Sequence, residues 1–157
     1  MAGFTLLELL MVLAILGILF TLTARIPRDG FAVRAAATAL SAQVTRARME
    51  ALRRNEYVGL RIDRASATFF LFQDGDRNLA YDAVTDPVLP GTTTVLGSGD
   101  FGAVQFASTV PTAGHTFVYD TRGIARSGAA FSVTLRNPAG SAARTVAVSA
   151  QGRSVLQ

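Results

Sequence analysis

Glu8 is the residue of this 157-residue chain whose chemistry is hardest to explain by folding alone. It follows Gly3-Phe4-Thr5-Leu6-Leu7 and precedes sixteen uncharged, mostly apolar residues, Leu9 to Ala24, so its carboxylate lies inside an apolar segment. An ionisable group at that depth costs about 2.5 to 3.5 kcal/mol on insertion scales and is usually retained because it pairs with something. A cut between Gly3 and Phe4 would supply the partner: the new α-amino group of Phe4 would carry a positive charge within one helical turn of Glu8, or face the Glu8 of a neighbouring chain. The chemistry is charge pairing in a low-dielectric medium, not bond making.

The other candidate chemistries are thinner. His115 is the only histidine; in Thr112-Ala113-Gly114-His115 it is expected in a solvated loop, without the positioned partner a general base needs. There is no cysteine, so disulfides and thiolate metal sites do not arise. No G-x-S-x-G, phosphate-binding glycine loop or histidine pair is present. The expectation is a protein that is not an enzyme and carries no cofactor. Asp74-Gly75-Asp76-Arg77-Asn78 has the D-x-D-x-N opening of a calcium loop, with Asp82 and Asp86 downstream as further oxygen ligands. Against this, Arg77 puts a cation inside the loop, Leu79 stands where the sharp-turn glycine belongs, and no glutamate closes it at the twelfth position. A solvated acidic loop is expected, with calcium on Asp74, Asp76 and Asn78 as the alternative.

The elements that position these residues can be read from periodicity. Leu9 to Ala24 is apolar all round, roughly 24 Å of helix at about 1.5 Å per residue; residues 4–26 together reach bilayer-spanning length. A secretory signal peptide or a plain anchor would read similarly, but the former wants a basic n-region and no basic residue precedes Arg25. Arg25 and Arg28 mark the exit from hydrocarbon, and Pro27 with Gly30 predicts a bend. Residues 27–55 read as an amphipathic helix, with Phe31, Ala35, Ala39, Leu40, Val44, Ala47, Ala51 and Leu52 on the apolar side and Arg34, Thr38, Ser41, Thr45 and Arg48 opposite. Strand patterns fill residues 56–157: Tyr57–Asp63, Thr68–Gln73, Val88–Leu96, Ala103–Phe106, Thr116–Tyr119, Phe131–Arg136 and Thr145–Ser149. The predicted fold is α+β, a long N-terminal transmembrane helix continuing into an amphipathic helix packed on an antiparallel, β-sandwich-like domain.

Charge is distributed unevenly. All 15 basic residues are Arg. Residues 25–55 hold seven Arg against Asp29 and Glu50, residues 56–120 three Arg against eight acids, and residues 121–157 five Arg with no acid. With Glu8, the segment sums of +5, −5, +5 and −1 return the net +4. Regions of opposite sign suit orientation against neighbours or polyanions better than an average solvated surface.

Gly3-Phe4-Thr5-Leu6-Leu7-Glu8 before an uninterrupted apolar run resembles the class III prepilin motif of type IV pilins and type II secretion pseudopilins. Four later stretches are similar to the GspH/FimT family of minor pseudopilins: Ala47-Arg48-Met49-Glu50-Ala51-Leu52-Arg53-Arg54-Asn55, Phe70-Leu71-Phe72-Gln73-Asp74-Gly75-Asp76, Tyr119-Asp120-Thr121-Arg122-Gly123, and the closing Val146 to Arg153. The resemblance implies a leader of residues 1–3, cleavage between Gly3 and Phe4 by a prepilin peptidase, N-methylation of Phe4, and Glu8 neutralising a neighbour's N-terminus. The leader is short and has no Lys or Arg, which points to a true start upstream. The resemblance further implies a single-pass inner-membrane subunit with a periplasmic C-terminal domain, assembled with other pilins or pseudopilins at or near a filament tip in protein secretion or pilus biogenesis. Some FimT-like minor pilins bind DNA in natural transformation through a Gly-Arg-x-Arg ending, guanidiniums contacting phosphates without reading sequence. Here Gly152-Arg153-Ser154-Val155 lacks the second Arg, and Arg122, Arg126, Arg136 and Arg144 would have to join Arg153. DNA uptake is thus the alternative function, and a membrane-anchored adhesin unrelated to pili is a third.

Overall fold

The computed structural model describes residues 6–24, 29–126 and 129–157. Helices α1 (Leu6–Ala24) and α2 (Asp29–Arg54) come first. Eight strands follow: β1 (Val58–Asp63), β2 (Thr68–Gln73), β3 (Thr94–Val95), β4 (Gln105–Phe106), β5 (His115–Tyr119), β6 (Phe131–Arg136), β7 (Ala143–Val148) and β8 (Ser154–Leu156), with a 3-10 turn at Gly99–Phe101. The class is α+β, as expected. The predicted bend at Pro27 lies outside the described residues.

The large side chains of α1 from Leu6 to Phe20 are all exposed. Among the described residues no helix is long and apolar enough to cross a membrane. The 19 residues of α1 reach roughly 28 Å at about 1.5 Å each, against a hydrocarbon core of about 30 Å.

Helix α2 buries Val33, Ala36, Ala37, Leu40, Val44, Ala47 and Ala51, a stripe of three- and four-residue steps. Phe31 and Leu52, expected in that stripe, face outward instead, at 79% and 46% exposure. The reason is physical: an alanine-rich helix has uncharged residues on both sides, so spacing alone does not choose the buried one. The β domain takes the face where alanines surround Leu40 and Val44 and the backbone can come close. The helix stops at Asn55, which is left-handed (φ 55°), with the Glu56 N–H bonded to the Ala51 carbonyl, a Schellman-type ending.

Two antiparallel four-stranded sheets lie beyond, in the orders β3-β2-β1-β5 and β4-β6-β7-β8. Helix α2 touches strands of both, and one core joins its Leu40 and Val44 to Leu60, Leu71, Phe117, Leu135 and Val146. In the first sheet Leu60 pairs with Leu71 and with Phe117, and Ile62 with Phe69 and His115. The other face is built on Gly59: a Cβ there would lie 2.3 Å from the Phe72 ring, and Tyr81 meets Phe70 and Phe72 edge-on at 5.0 Å.

Strands β2 and β6 have the predicted bounds. Val88–Leu96 does not form a strand: only Thr94 and Val95 pair, besides an isolated bridge of Val88 to Phe72. Pro87 and Pro90 lack the donors a ladder needs, and the Thr92 hydroxyl turns the chain by donating to the Leu89 carbonyl at 2.7 Å. Strand β8 went unseen in the sequence, because three residues are too few to show a period.

Candidate functional site

Gly3 and Phe4 lie outside the described residues. Glu8 sits in the first turn of α1, exposed among Leu6, Leu7, Leu9 and Leu10. Its apolar surroundings belong to a helix that presents them outward rather than to a pocket.

The far end of α2 is clamped by Tyr119, Asp120, Gly123 and Gly152, which enter the sequence reading as part of the family resemblance. Tyr119 is fully buried and edge-on to Phe117 at 5.2 Å; its hydroxyl donates to the Gly152 carbonyl at 2.8 Å. Burial pushes its phenol up to about 12, against the opposing pull of Arg48. Gly152 has φ 78°, and a Cβ there would stand 2.5 Å from the Tyr119 ring, so the turn before β8 requires glycine both for conformation and for space. Asp120 caps the neighbouring turn. Its carboxylate accepts from the backbone N–H groups of Arg122 and Ile124, both at 2.9 Å. Burial raises its pKa, but these bonds and the Arg122 guanidinium outweigh that and leave it below the usual range. The turn presses Gly123 (φ 68°) against Arg48 and Leu52 of α2.

The five arginines of the DNA hypothesis do not form one row. Arg136 and Arg144 lie near the start of α2: Ala142 approaches Gly30, and Arg144 shares a cleft of about 400 Å³ with Arg34, Thr38, Leu156 and Gln157. Arg48 of α2 lies against Gly123, next to Arg122 in sequence, whereas Arg153 lines an open cleft of about 630 Å³ with Phe131, Ala147 and Val155. The backbone N–H of Arg126 pairs with the Val118 carbonyl. Only the tertiary fold brings Arg48 of α2 to the turn that carries Arg122.

In the acidic loop Asp74, Asp76 and Asp86 bring one carboxylate oxygen each within 4.8 Å of one another. Asp86, expected as a further oxygen ligand, is the third carboxylate of that cluster, and the Asn78 side chain lies against Asp76. Each carboxylate already braces the loop: Asp74 accepts from the N–H groups of Asn78 and Leu79, Asp86 from Gly75 and Asp82, and Asp76 from the backbone and side chain of Asn78. Burial, reinforced by Asp76 and Asp86, raises the Asp74 pKa. Arg77, expected inside the loop, lies over the Tyr57 ring at 5.2 Å. His115 is likewise not a loop residue. It opens β5, half-buried, with its ring 4.1 Å from that of Phe131; burial and then Arg61 lower its pKa.

With this geometry in hand, relatives can be compared. The chain matches the family described as type II transport protein GspH over residues 36–152, and the prokaryotic N-terminal methylation motif over residues 1–24. It is 37% identical to the pilin-like protein PilA1 of Thermus thermophilus, over 99% of this chain and 97% of that one. Its fold is similar to that of the minor pseudopilin EpsH of the Vibrio cholerae type 2 secretion system, with a TM-score of 0.56 at 14% identity over 80% of this chain and 95% of that one. It is also similar to the type IV minor pilin FimU of Pseudomonas aeruginosa, with a TM-score of 0.55 at 15% identity over 80% and 87% of the two chains.

Proposed function

The chain belongs to the GspH family and is a minor pseudopilin or minor pilin of a type II secretion system or type IV pilus; from that premise we propose how it enters the filament and what its domain does there. Members of this family are structural subunits that assemble with other pilins, and the subunit is membrane-anchored. A prepilin peptidase cuts between Gly3 and Phe4, and Phe4 is N-methylated. The subunit waits as a single-pass protein of the inner membrane, its β domain in the periplasm, and is then drawn into the filament by packing of α1. Glu8 answers the Phe4 amine of a neighbour, each charge lowering the other's cost of leaving water. The β domain selects neighbours at or near the tip and performs no catalytic step.

What carries this reading is α1, whose large apolar side chains face outward around a lone carboxylate. Intact-mass analysis of the filament-borne protein should find residues 4–157 with one added methyl group. Glu8→Leu should leave membrane levels unchanged and lower filament incorporation about tenfold or more, the factor that a loss of roughly 1.4 kcal/mol gives. A filament-borne chain that keeps Met1 to Gly3, or Glu8→Leu at normal stoichiometry, would sink the mechanism.

DNA binding in natural transformation is the second reading, favoured by Arg48 standing against the turn that carries Arg122. Phosphate contacts weaken steeply with salt. A gel shift lost between low and physiological salt, and weakened by Arg122→Ala with Arg153→Ala, supports it; no shift at low salt ends it.

A further inference from the structure

Between the first turns of α2 and the second sheet lies a cleft of about 400 Å³, lined by Arg34 and Thr38 of α2, Arg144 of β7, and Leu156 and Gln157 at the end of β8. Arg34 and Arg144 are both exposed. The ion pairs among the described residues join Glu50 to Arg53 and Arg54, and Asp120 to Arg122, so neither cleft arginine touches a carboxylate there. The sequence has few to offer: residues 121–157 hold no acid, and the acids of α2 are Asp29 at its first position and Glu50. Arg144 donates one N–H to the Ala143 carbonyl at 2.9 Å, and the Thr38 hydroxyl turns back to the Arg34 carbonyl at 3.0 Å. The other guanidinium N–H groups are placed for an oxyanion, whose shape arginine matches with paired donors. Leu156, at 42% exposure, gives the cleft an apolar wall.

The position of the cleft along the chain decides what carries the oxyanion. The chain from Ala24, which ends α1, to Asp29 covers at most about 18 Å, and the helix from Asp29 to Arg34 adds about 7.5 Å. By those two lengths the Arg34 backbone is tethered within roughly 25 Å of the end of α1, whatever path lies between. The turn between β6 and β7 is at the same end, with Ala142 against Gly30. Further from α1, the Ser41 and Ser154 hydroxyls meet at 2.9 Å and join α2 to β8. Phe31, at 79% exposure, stands about one turn nearer α1 than Arg34. Two guanidiniums with apolar edges, held this close to an anchor, fit an anion that is itself joined to acyl chains. We propose that the cleft binds the phosphate headgroup of an anionic phospholipid and so holds the β domain down on the bilayer until the subunit is drawn into the filament. Each arginine near an anionic surface strengthens attachment about fivefold. Release of this contact is then one of the steps of extraction. The proposal rests on the reading of α1 as a bilayer anchor given above.

The chain has no cysteine, so one introduced thiol can carry a fluorophore to a single place. Ala139→Cys, in the turn that approaches Gly30, reports on the cleft end of the domain. Ala83→Cys, in the acidic loop whose Arg77 lies over Tyr57 beyond the far end of α2, reports on the other. The full chain is to be reconstituted in vesicles of phosphatidylcholine alone or mixed with phosphatidylglycerol, each with the same share of a spin-labelled phosphatidylcholine headgroup as quencher. The expected result is quenching from Ala139→Cys several-fold stronger in the mixed vesicles, with no such gain from Ala83→Cys. Arg34→Gln with Arg144→Gln should remove the gain, as should salt high enough to screen the charges; Arg77→Gln should not. Equal quenching of an inserted chain in both vesicle types, or a gain that survives the paired substitution, would overturn the proposal while leaving the anchored subunit standing. Loss of the contact to millimolar inorganic phosphate at constant ionic strength would assign the cleft to a soluble phosphate and overturn it too. So would capture of duplex DNA on phosphatidylcholine vesicles that the same paired substitution abolishes. A chain that inserts in neither vesicle would take the anchor and the lipid site down together.

Discussion

Helices α1 and α2 are neighbours in sequence, and both are rich in apolar residues, yet they solve opposite problems. In α1 the side chains from Leu6 to Phe20 face outward; in α2 Val33, Leu40 and Val44 are buried and Arg34, Arg46 and Arg48 are not. The difference teaches where each helix gets its stability. Helix α2 draws on its own chain, closing the core over β1, β2 and β7. Helix α1 has an apolar surface whose gain on burial, about 25 cal/mol per Å², waits for a bilayer or for other helices. Their carboxylates differ in the same way. Glu50 is answered within its helix by Arg53 and Arg54, whereas Glu8 is assigned a partner on another chain.

The strongest way to break this comparison is a pair of truncations. Leu40→Ala should cost about 2 to 5 kcal/mol of unfolding free energy, the usual range for a buried leucine, while Leu13→Ala should stay within about 0.5 kcal/mol, as surface substitutions do. Guanidinium unfolding of the detergent-solubilised chain, followed by near-UV signal from the β domain, measures both. Equal losses would mean that α1 is packed on its own domain. A smaller effect sharpens the picture of how α2 is held. Gly123→Ala should cost about 1 to 2 kcal/mol, because a side chain at positive φ is strained and its Cβ would stand 3.1 Å from Arg48 and 3.2 Å from Leu52. If Gly123→Ala unfolds with the parent midpoint, the turn capped by Asp120 does not bear on the helix.

The parts of the fold legible in the sequence were those with a long, unambiguous period. The all-apolar run before Arg25 and the alternation of Val58, Leu60 and Ile62 each admitted one reading. Where two faces were chemically alike, as with Ala35 and Ala36 on α2, only the sheet beneath could choose between them. His115 looked like a loop residue after Gly114, but its register with Ile62 puts it on the inner face of β5, against Phe131. The proposed cleavage site at Gly3 and Phe4 and the proposed assembly residue Glu8 rest on a local motif. Arg48 and the turn that carries Arg122 come from distant segments, and nothing along the chain signals that they meet.

The smallest effect concerns two of the helix carboxylates, Glu50 and Glu8. Hydrogen bonds from Arg54 and then Arg53 hold the Glu50 carboxyl below its ordinary value, so ionised Glu50 favours the folded state. Its contribution is complete above the unfolded pKa, about 4.3, and is lost as pH falls through the lower, folded value. Both arginines are partly exposed, at 64% and 30%, so screening keeps the gain to about 0.2 to 1 kcal/mol. Glu50→Gln should therefore unfold slightly earlier than the parent at neutral pH, and the two curves should converge as the solution is acidified below that window. On the proposed pairing of Glu8 with the Phe4 amine of a neighbouring subunit, Glu8→Gln should instead move filament incorporation more than the unfolding curve. If Glu8→Gln shifts unfolding by as much as Glu50→Gln and still assembles normally, Glu8 is answered within its own chain, and the division of labour between the two helices fails.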